Sequence, residues 1–187
     1  MLIVCAGRSR SGSTLMYNLV RLTLEESFGI DNVYAITHKH YDKNNNKKCN
    51  VVKIHGHNNY LFKNATHVFS CERNLEDQKL SILKFRKIIK NQELSEDELE
   101  KFIEYDLSRY ERWKNHINFL TTFKFEDLVN NKKIIISEII SLLDLKFDYD
   151  ADNIINKLNV LKLPKKGYDK KTGLTWHHFT SININKE

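Results

Sequence analysis

The chain has 187 residues, 41% of them hydrophobic and one a proline, which excludes a disordered chain and predicts a single folded domain over residues 1–187. Its net charge of +6 points to an anionic ligand or substrate, while 24 acidic residues interspersed among 30 basic ones argue against a dedicated nucleic-acid tail. Cys5, Cys49 and Cys71 make an odd set, two of them in strand-like runs, so reduced thiols and a cytoplasmic location are expected. No stretch reaches transmembrane length, and a core strand starting at Leu2 leaves no room for a signal peptide.

In chain order, the apolar run Leu2-Ile3-Val4-Cys5-Ala6 leads directly into Gly7-Arg8-Ser9-Arg10-Ser11-Gly12-Ser13-Thr14. Leu15, Met16, Leu19 and Leu22 then recur at helical spacing. Strand, glycine-bearing loop and helix in succession build a phosphate cradle. The loop amides and the unpaired N–H groups of the helix start converge on an anion, and the helix dipole adds attraction. Glycine, four residues, glycine copies the Walker frame. Ser13 holds the place of the Walker lysine, however, and a cation stands earlier, at Arg10. The loop is therefore expected to hold a 5′-phosphate without the lysine that grips β- and γ-phosphates.

Val33 to Thr37 reads as a second strand, and the polar stretch from His38 to Asn50 as a loop. Asn50 to Ile54 is a third strand, running into His55-Gly56-His57. Thr66 to Cys71 is a fourth, followed by Glu72-Arg73-Asn74 and a helix over 75–90. Ser95 to Glu98 is a capping box opening another helix, whose apolar stripe runs through Leu99, Phe102, Ile103, Leu107, Tyr110, Trp113 and Ile117. A fifth strand is expected over 119–125 and helical segments over 134–143 and 154–158. The tail from Leu161 to Phe179 is basic and aromatic. Alternating strands and helices predict an α/β fold, a central parallel sheet with helices on both faces.

Ligands of such sheets sit beyond the carboxyl ends of the strands. That rule gathers the loops after strands one, three and four, which carry Arg10, Lys53 with His55, and Arg73. Ser81 lies eight residues after Arg73, two turns into the next helix. With Lys165, Lys166 and Gly167 of the tail, this second group is expected to clamp a phosphate separate from the first. A neutral His55 is placed to take a proton from an acceptor hydroxyl. Lys53 shares its strand face and is expected, with Arg10, to stabilise charge on the leaving group.

These residues resemble a known family, the sulfotransferases that use 3′-phosphoadenosine-5′-phosphosulfate (PAPS). Arg10-Ser11-Gly12-Ser13-Thr14 is similar to the family's 5′-phosphosulfate loop, in the Arg-Ser-Gly form of carbohydrate and tyrosyl-protein enzymes. Arg73 and Ser81 match the pair that holds the 3′-phosphate, at the same interval. Lys53-Ile54-His55 is similar to the Lys-Thr-His stretch of cytosolic members, whose His is the catalytic base, and Phe125-Glu126-Asp127-Leu128 to their Tyr-Glu-Asp-Leu element. Lys165-Lys166-Gly167, Gly173, Trp176 and Phe179-Thr180 resemble the C-terminal signature, with Lys165 in place of the usual Arg. Leu15 stands where cytosolic members carry the Trp that packs the adenine. The resemblance implies a three-layer sandwich with a P-loop-like 5′-phosphosulfate loop and PAPS as co-substrate. It implies in-line sulfuryl transfer to a hydroxyl or amine with His55 as base and Arg10 and Lys53 as charge stabilisers. No metal is expected.

Each residue has a plainer reading beside this one. His38, His40, His55 and His57 invite a metal site, but no matching Cys or carboxylate cluster follows. Arg73 could be a surface salt bridge with Glu72 or Glu76. Tyr110 and Trp113 read as core, and Glu126-Asp127 as a strand-end structural pair. Two rivals stand beside the sulfotransferase: a P-loop nucleotide kinase or NTPase, and a non-catalytic module binding heparin-like polymers or nucleic acid. The acceptor stays open among carbohydrate, tyrosine or peptide, and small molecule.

Overall fold

Five runs rich in β-branched and aromatic residues pair into one parallel sheet: β1 (Leu2–Gly7), β2 (Val33–Thr37), β3 (Cys49–Ile54), β4 (His67–Glu72) and β5 (Leu120–Lys124), in the order β2-β3-β1-β4-β5. The structure is a computed structural model and describes residues 1–162, 164, 167–169 and 172–175. β1 is central, with Cys5 opposite Lys53 of β3 on one side and Phe69 of β4 on the other. The chain steps from β1 out to β2, returns through β3, then crosses to β4 and β5. The reversal of winding therefore falls beside the carboxyl end of β1, the crevice where open parallel sheets receive ligands.

Alternation sends Ile3 and Cys5 to one face of the sheet and Val4 and Ala6 to the other. On the first face Val51 and Phe69 pack with α1 (Ser13–Phe28), α6 (Lys132–Leu142) and α7 (Ala151–Asn159). On the second, Val52 and Val68 pack with Leu61 of α2 (Asn59–Asn64) and with Tyr110 and Trp113 of α4 (Glu96–Lys114). α3 (Leu75–Lys90) meets α4 through a smaller cluster of Ile82, Leu99 and Ile103. This is the three-layer α/β sandwich that the sequence predicts. α1 is buried from Leu15 to Leu24, because α6 and α7 cover the side turned away from the sheet.

The capping box forms as expected: Ser95 accepts from the Glu98 N–H, and the Glu98 carboxylate accepts from the Ser95 N–H at 2.8 Å. Elsewhere the boundaries shift for local reasons. β5 ends at Lys124, because Phe125-Glu126-Asp127 opens α5 (Phe125–Asn130), whose acidic first turn suits a helix start. α2 falls in a stretch with no apolar period, and the Asn58 side chain starts it by accepting from the Leu61 N–H at 3.0 Å. No helix among the described residues is long and apolar enough to cross a membrane.

The tail contributes a small antiparallel hairpin, β6 (Tyr168–Asp169) and β7 (Leu174–Thr175), that the sequence reading did not anticipate. It packs on α1 and β2: the Tyr17 hydroxyl donates to the Thr172 carbonyl at 3.0 Å. Gly173 has φ 67°, and a Cβ there would collide with the Tyr17 hydroxyl and lie 2.8 Å from the Ala35 carbonyl oxygen. Gly173→Ala is expected to destabilise the chain by about 2 kcal/mol or more, from left-handed strain plus overpacking. Urea unfolding measures this, and an unchanged midpoint would show that the hairpin does not bear on α1.

Candidate active site

The loop between β1 and α1 is shaped by two left-handed residues, Arg10 with φ 62° and Gly12 with φ 104°. Only glycine suits the second position. A Cβ on Gly12 would lie 2.5 Å from Cδ2 of Phe125 and 2.9 Å from Sγ of Cys71. The loop is tied down by side chains: the Ser11 hydroxyl donates to the Arg8 carbonyl at 2.9 Å, and Gln78 Nε2 donates to the Ser9 carbonyl at 2.5 Å. The Cys71 thiol donates to the Ser11 carbonyl. Asp106 of α4 accepts from the N–H and hydroxyl of Ser9 at 2.9 and 3.2 Å. Among the described residues, the N–H groups of Arg10, Gly12, Ser13 and Thr14 have no partner. α1 has no side-chain N-cap and no acidic residue in its first turn, so its positive end is open to an anion.

Lys53 is the buried cation of the site. It is 2% exposed, and its Nζ donates to the Thr14 hydroxyl at 2.6 Å. Burial, with added repulsion from Arg10, pushes its ammonium down to about 7, against a small opposing pull from Cys5. Thr14 occupies the place of the Walker Ser/Thr, whose hydroxyl binds Mg²⁺. Here an ammonium takes that hydroxyl.

Arg10 donates through Nε to the Ser81 hydroxyl at 3.2 Å, and its guanidinium lies over Phe85 at 5.1 Å from the ring centre. Burial, then repulsion from Arg73, lowers its pKa. The Arg73 guanidinium lies 4.2 Å over the Phe125 ring, and its buried Nε has no partner. The carboxylates that could have neutralised Arg73 are paired elsewhere, Glu72 with Lys114 at 3.0 Å and Glu76 with Lys79 at 3.2 Å. Among the described residues no carboxylate forms an ion pair with Lys53, Arg10 or Arg73. These cations share a crevice without a counter-charge, which suits a bound anion.

His55 follows β3, and its Nδ1 lies 3.1 Å from the Gly7 carbonyl oxygen. A carbonyl only accepts, so Nδ1 carries the proton and Nε2 keeps its lone pair. Burial of the ring's surroundings and repulsion from Lys53 push the imidazolium down to about 3, the Gly7 carbonyl opposing and Arg10 and His38 adding to the shift. By surface area the residue is nonetheless exposed, so the direction of the shift, set by the cations beside it, is the part that bears on its chemistry. His55 is thus a neutral, oriented base at physiological pH.

Arg10, Lys53, His55 and Arg73 come to one crevice, as the three-loop argument expects. Ser11 and Ser13 are buried in the loop and helix start. One expectation is redrawn: Arg10 and Ser81, assigned to separate phosphate clusters, are hydrogen-bonded to each other, so the two clusters are continuous. Gly167 is exposed with φ 68°, and no atom of the described residues lies within 4 Å of where its Cβ would be, while Lys165, Lys166, Trp176, Phe179 and Thr180 lie outside the described residues. Glu126 and Asp127 sit in the first turn of α5, where Asp127 accepts from Asn131 at 3.0 Å. Arg8, Asp106 and Arg109 also border the site and went unnoticed in the sequence. Ser9 and Asp106 are 97 residues apart, and no spacing rule joins them. Among the described residues no group of three or more His, Cys, Asp or Glu is arranged to hold a metal ion.

A five-stranded parallel sheet with a glycine loop and an uncapped helix start after its central strand defines a P-loop-like α/β fold. Among solved structures, the chain is similar to mouse sulfotransferase SULT7A1 complexed with PAP, at TM-score 0.59 and 11% identity over 97% of this chain and 77% of that one. It is also similar to retinol dehydratase in complex with androsterone and inactive cofactor PAP, at TM-score 0.52 and 10% identity over 83% of this chain. That match spans 62% of the dehydratase chain. No protein-family model and no curated protein matches the sequence. The likeness is one of fold: the chain has the fold of the PAPS-dependent sulfotransferases.

Lys53 carries a pH signature. Its ammonium titrates at about 7 in the folded, ligand-free chain, against the ordinary 10.5. Between those values the folded state binds fewer protons than the unfolded state, so this group makes stability rise with pH; below about 7 its full penalty is present. Lys53→Met is expected to remove that rise and to stabilise the ligand-free chain at about pH 6 by a few kcal/mol. Urea unfolding of both proteins between about pH 6 and 10 decides it. Parallel curves would show that the ammonium is not held out of water.

Proposed function

We propose that this protein is a PAPS-dependent sulfotransferase, moving a sulfuryl group to a hydroxyl or amine acceptor. The observation that carries the reading is the set of unmatched cations, Lys53, Arg10 and Arg73, gathered at a glycine loop whose amides lack partners. The fold shared with PAP-bound sulfotransferases supports it. The amides of Gly12, Ser13 and Thr14 would hold the 5′-phosphate, and Arg73 and Ser81 the 3′-phosphate. Lys165, Lys166 and Gly167 would complete that second clamp.

PAPS, when bound, supplies the activated sulfuryl group and the leaving 5′-phosphate. His55 takes the acceptor's proton on Nε2, since Nδ1 is committed to Gly7. The acceptor oxygen then bonds to sulfur as the bond from sulfur to the 5′-phosphate oxygen breaks. Lys53 donates to the hydroxyl of Thr14 in the first turn of α1, where its charge offsets the negative charge that develops on the leaving oxygen. Arg10, pinned to Ser81, adds charge between the two phosphate positions.

The kinase or NTPase reading is weaker, because Ser13 replaces the Walker lysine and the Lys53 ammonium takes the hydroxyl that a Walker loop gives to magnesium. The polymer-binding reading does not account for a basic group oriented as His55 is.

Thermal shift with adenosine 3′,5′-bisphosphate, ATP–magnesium and heparin in parallel tests the class. The bisphosphate is expected to stabilise the chain most, and stabilisation by ATP–magnesium alone would overturn the proposal. Arg73→Ala should weaken binding of the bisphosphate far more than binding of adenosine 5′-phosphate; equal losses would remove Arg73 from the 3′-phosphate. His55→Ala should lower turnover by about 100-fold or more while bisphosphate affinity is kept. With its imidazolium near 3, His55 should also sustain the rate down to about pH 6, where an unperturbed histidine would have lost most of its base form. A rate that falls with an apparent pKa of about 6.5 would contradict the lowering of the imidazolium pKa by its surroundings.

A further inference from the structure

The N–H, hydroxyl and carbonyl of Ser9 are all taken. The N–H and hydroxyl donate to the two carboxylate oxygens of Asp106 at 2.9 and 3.2 Å, and the carbonyl accepts from Gln78 Nε2 at 2.5 Å. Asp106 belongs to α4, and Gln78, fully buried, belongs to α3. The next residue, Arg10, has φ 62°, a left-handed conformation that side-chain-bearing residues adopt rarely and that persists where the surroundings over-determine it. From there its guanidinium reaches the Ser81 hydroxyl and lies over Phe85. The N–H and hydroxyl of Ser11 return to the Arg8 carbonyl at 3.4 and 2.9 Å and close a turn around Ser9 and Arg10.

The helix that grips this turn is itself fixed to the sheet. Tyr110 and Trp113 of α4, each 2% exposed, pack with Val52 and Val68. The Tyr110 hydroxyl donates to Glu72 at the end of β4 at 3.0 Å, and Lys114 pairs with the same carboxylate. Asp106, Tyr110 and Lys114 stand four residues apart, on one helix face.

A carboxylate is otherwise an unfavourable neighbour for a loop that receives an anion. Asp106 shares a recess with Gly7, Arg8, His55, Gly56 and Arg109 and acts by charge on both arginines, so it offsets part of the positive field there. Burial raises its pKa, against the two bonds from Ser9 and the attraction of Arg8 and Arg109. By charge alone it would loosen the hold on an anion, and its hold on Ser9 is what acts the other way.

We propose that Asp106 is a positioning residue of this site: with Gln78 it fixes Ser9, and through Ser9 it keeps the loop in the bend that turns Arg10 and the unpartnered amides to the 5′-phosphate. This deepens the transferase reading above, on which the identity of the ligand rests. The charge of Asp106 and its geometry act on that ligand with opposite signs, which makes the two separable.

The test is calorimetric binding of adenosine 3′,5′-bisphosphate to the full chain and two variants. Asp106→Ala removes the charge and both acceptors, while Asp106→Asn removes the charge and keeps one acceptor. Asp106→Ala is expected to weaken binding by about 10-fold or more, the scale of one charge-assisted hydrogen bond, and Asp106→Asn by less. A residue that acted by charge would give tighter binding in both. Amide hydrogen exchange of the free chain adds a readout that needs no ligand. The Ser11 N–H should exchange about 10-fold faster in Asp106→Ala, while the N–H groups of Val4 and Cys5 in β1 keep their rates. Alanine suits a helix interior, and Tyr110 and Trp113 still anchor α4, so the variant is expected to fold. Tighter or unchanged binding in Asp106→Ala, or exchange that quickens equally in β1 and in the loop, would overturn the inference. If the parent chain fails to bind the bisphosphate, the transferase reading falls. The Ser11 exchange rate still decides this one, and an unchanged rate in Asp106→Ala would end it.

Discussion

The structure depends on an ammonium buried in a parallel sheet without a carboxylate. Strand β3 pairs with β1 in a register that sets Lys53 opposite Cys5, and alternation turns its side chain to the face covered by α1. Once there it can reach only the first turn of that helix, where Thr14 accepts it. The helix start cannot carry an acidic residue without quenching the charge, and it carries none. The loop before it has to bend through left-handed residues to bring its amides to the same place. Charge, helix and loop each have their form because the others are unmatched, and a phosphate-like anion satisfies all three.

The division of labour within the crevice follows from topology. Backbone groups come from the loop after β1, cations from β3, from the end of β4 and from the loop itself, and an imidazole from the residue just after β3. Because β1 and β3 are adjacent, the carbonyl of Gly7 can set the tautomer of His55 directly. The ring nitrogen that keeps its lone pair is thus chosen by strand pairing rather than by a carboxylate partner. Hydrogen-bonded α4 residues then steady both loops, Asp106 on Ser9 and Arg109 on His55.

Much of this was legible in the residues. The apolar runs before Gly7, His55 and Glu72 are short and continuous, as buried parallel strands are, and each ends at the crevice. Their order placed Arg10, Lys53, His55 and Arg73 together without any knowledge of the helices. What could not be read has a physical cause. The link from Arg10 to Ser81 depends on where a long flexible side chain comes to rest across a helix. Asp106 and Arg109 sit on a helix whose exposed stripe looks like any solvated charged face, and their role exists only through contacts with loops 97 and 54 residues away. α2 and the hairpin of Tyr168 to Thr175 are held by packing and single caps, and neither leaves a period in the sequence.

Cys71 lies under the loop, its thiol donated to the carbonyl of Ser11 and its sulfur within reach of where a side chain on Gly12 would be. Burial and the nearby carboxylate of Glu126 hold that thiol protonated, and Cys5 and Cys49 are buried as well. The native chain should therefore be silent to alkylating reagents. Cys71 is expected to react only if Ser11 lifts away from β4, so its labelling rate would report opening of the loop between β1 and α1 with no label placed there.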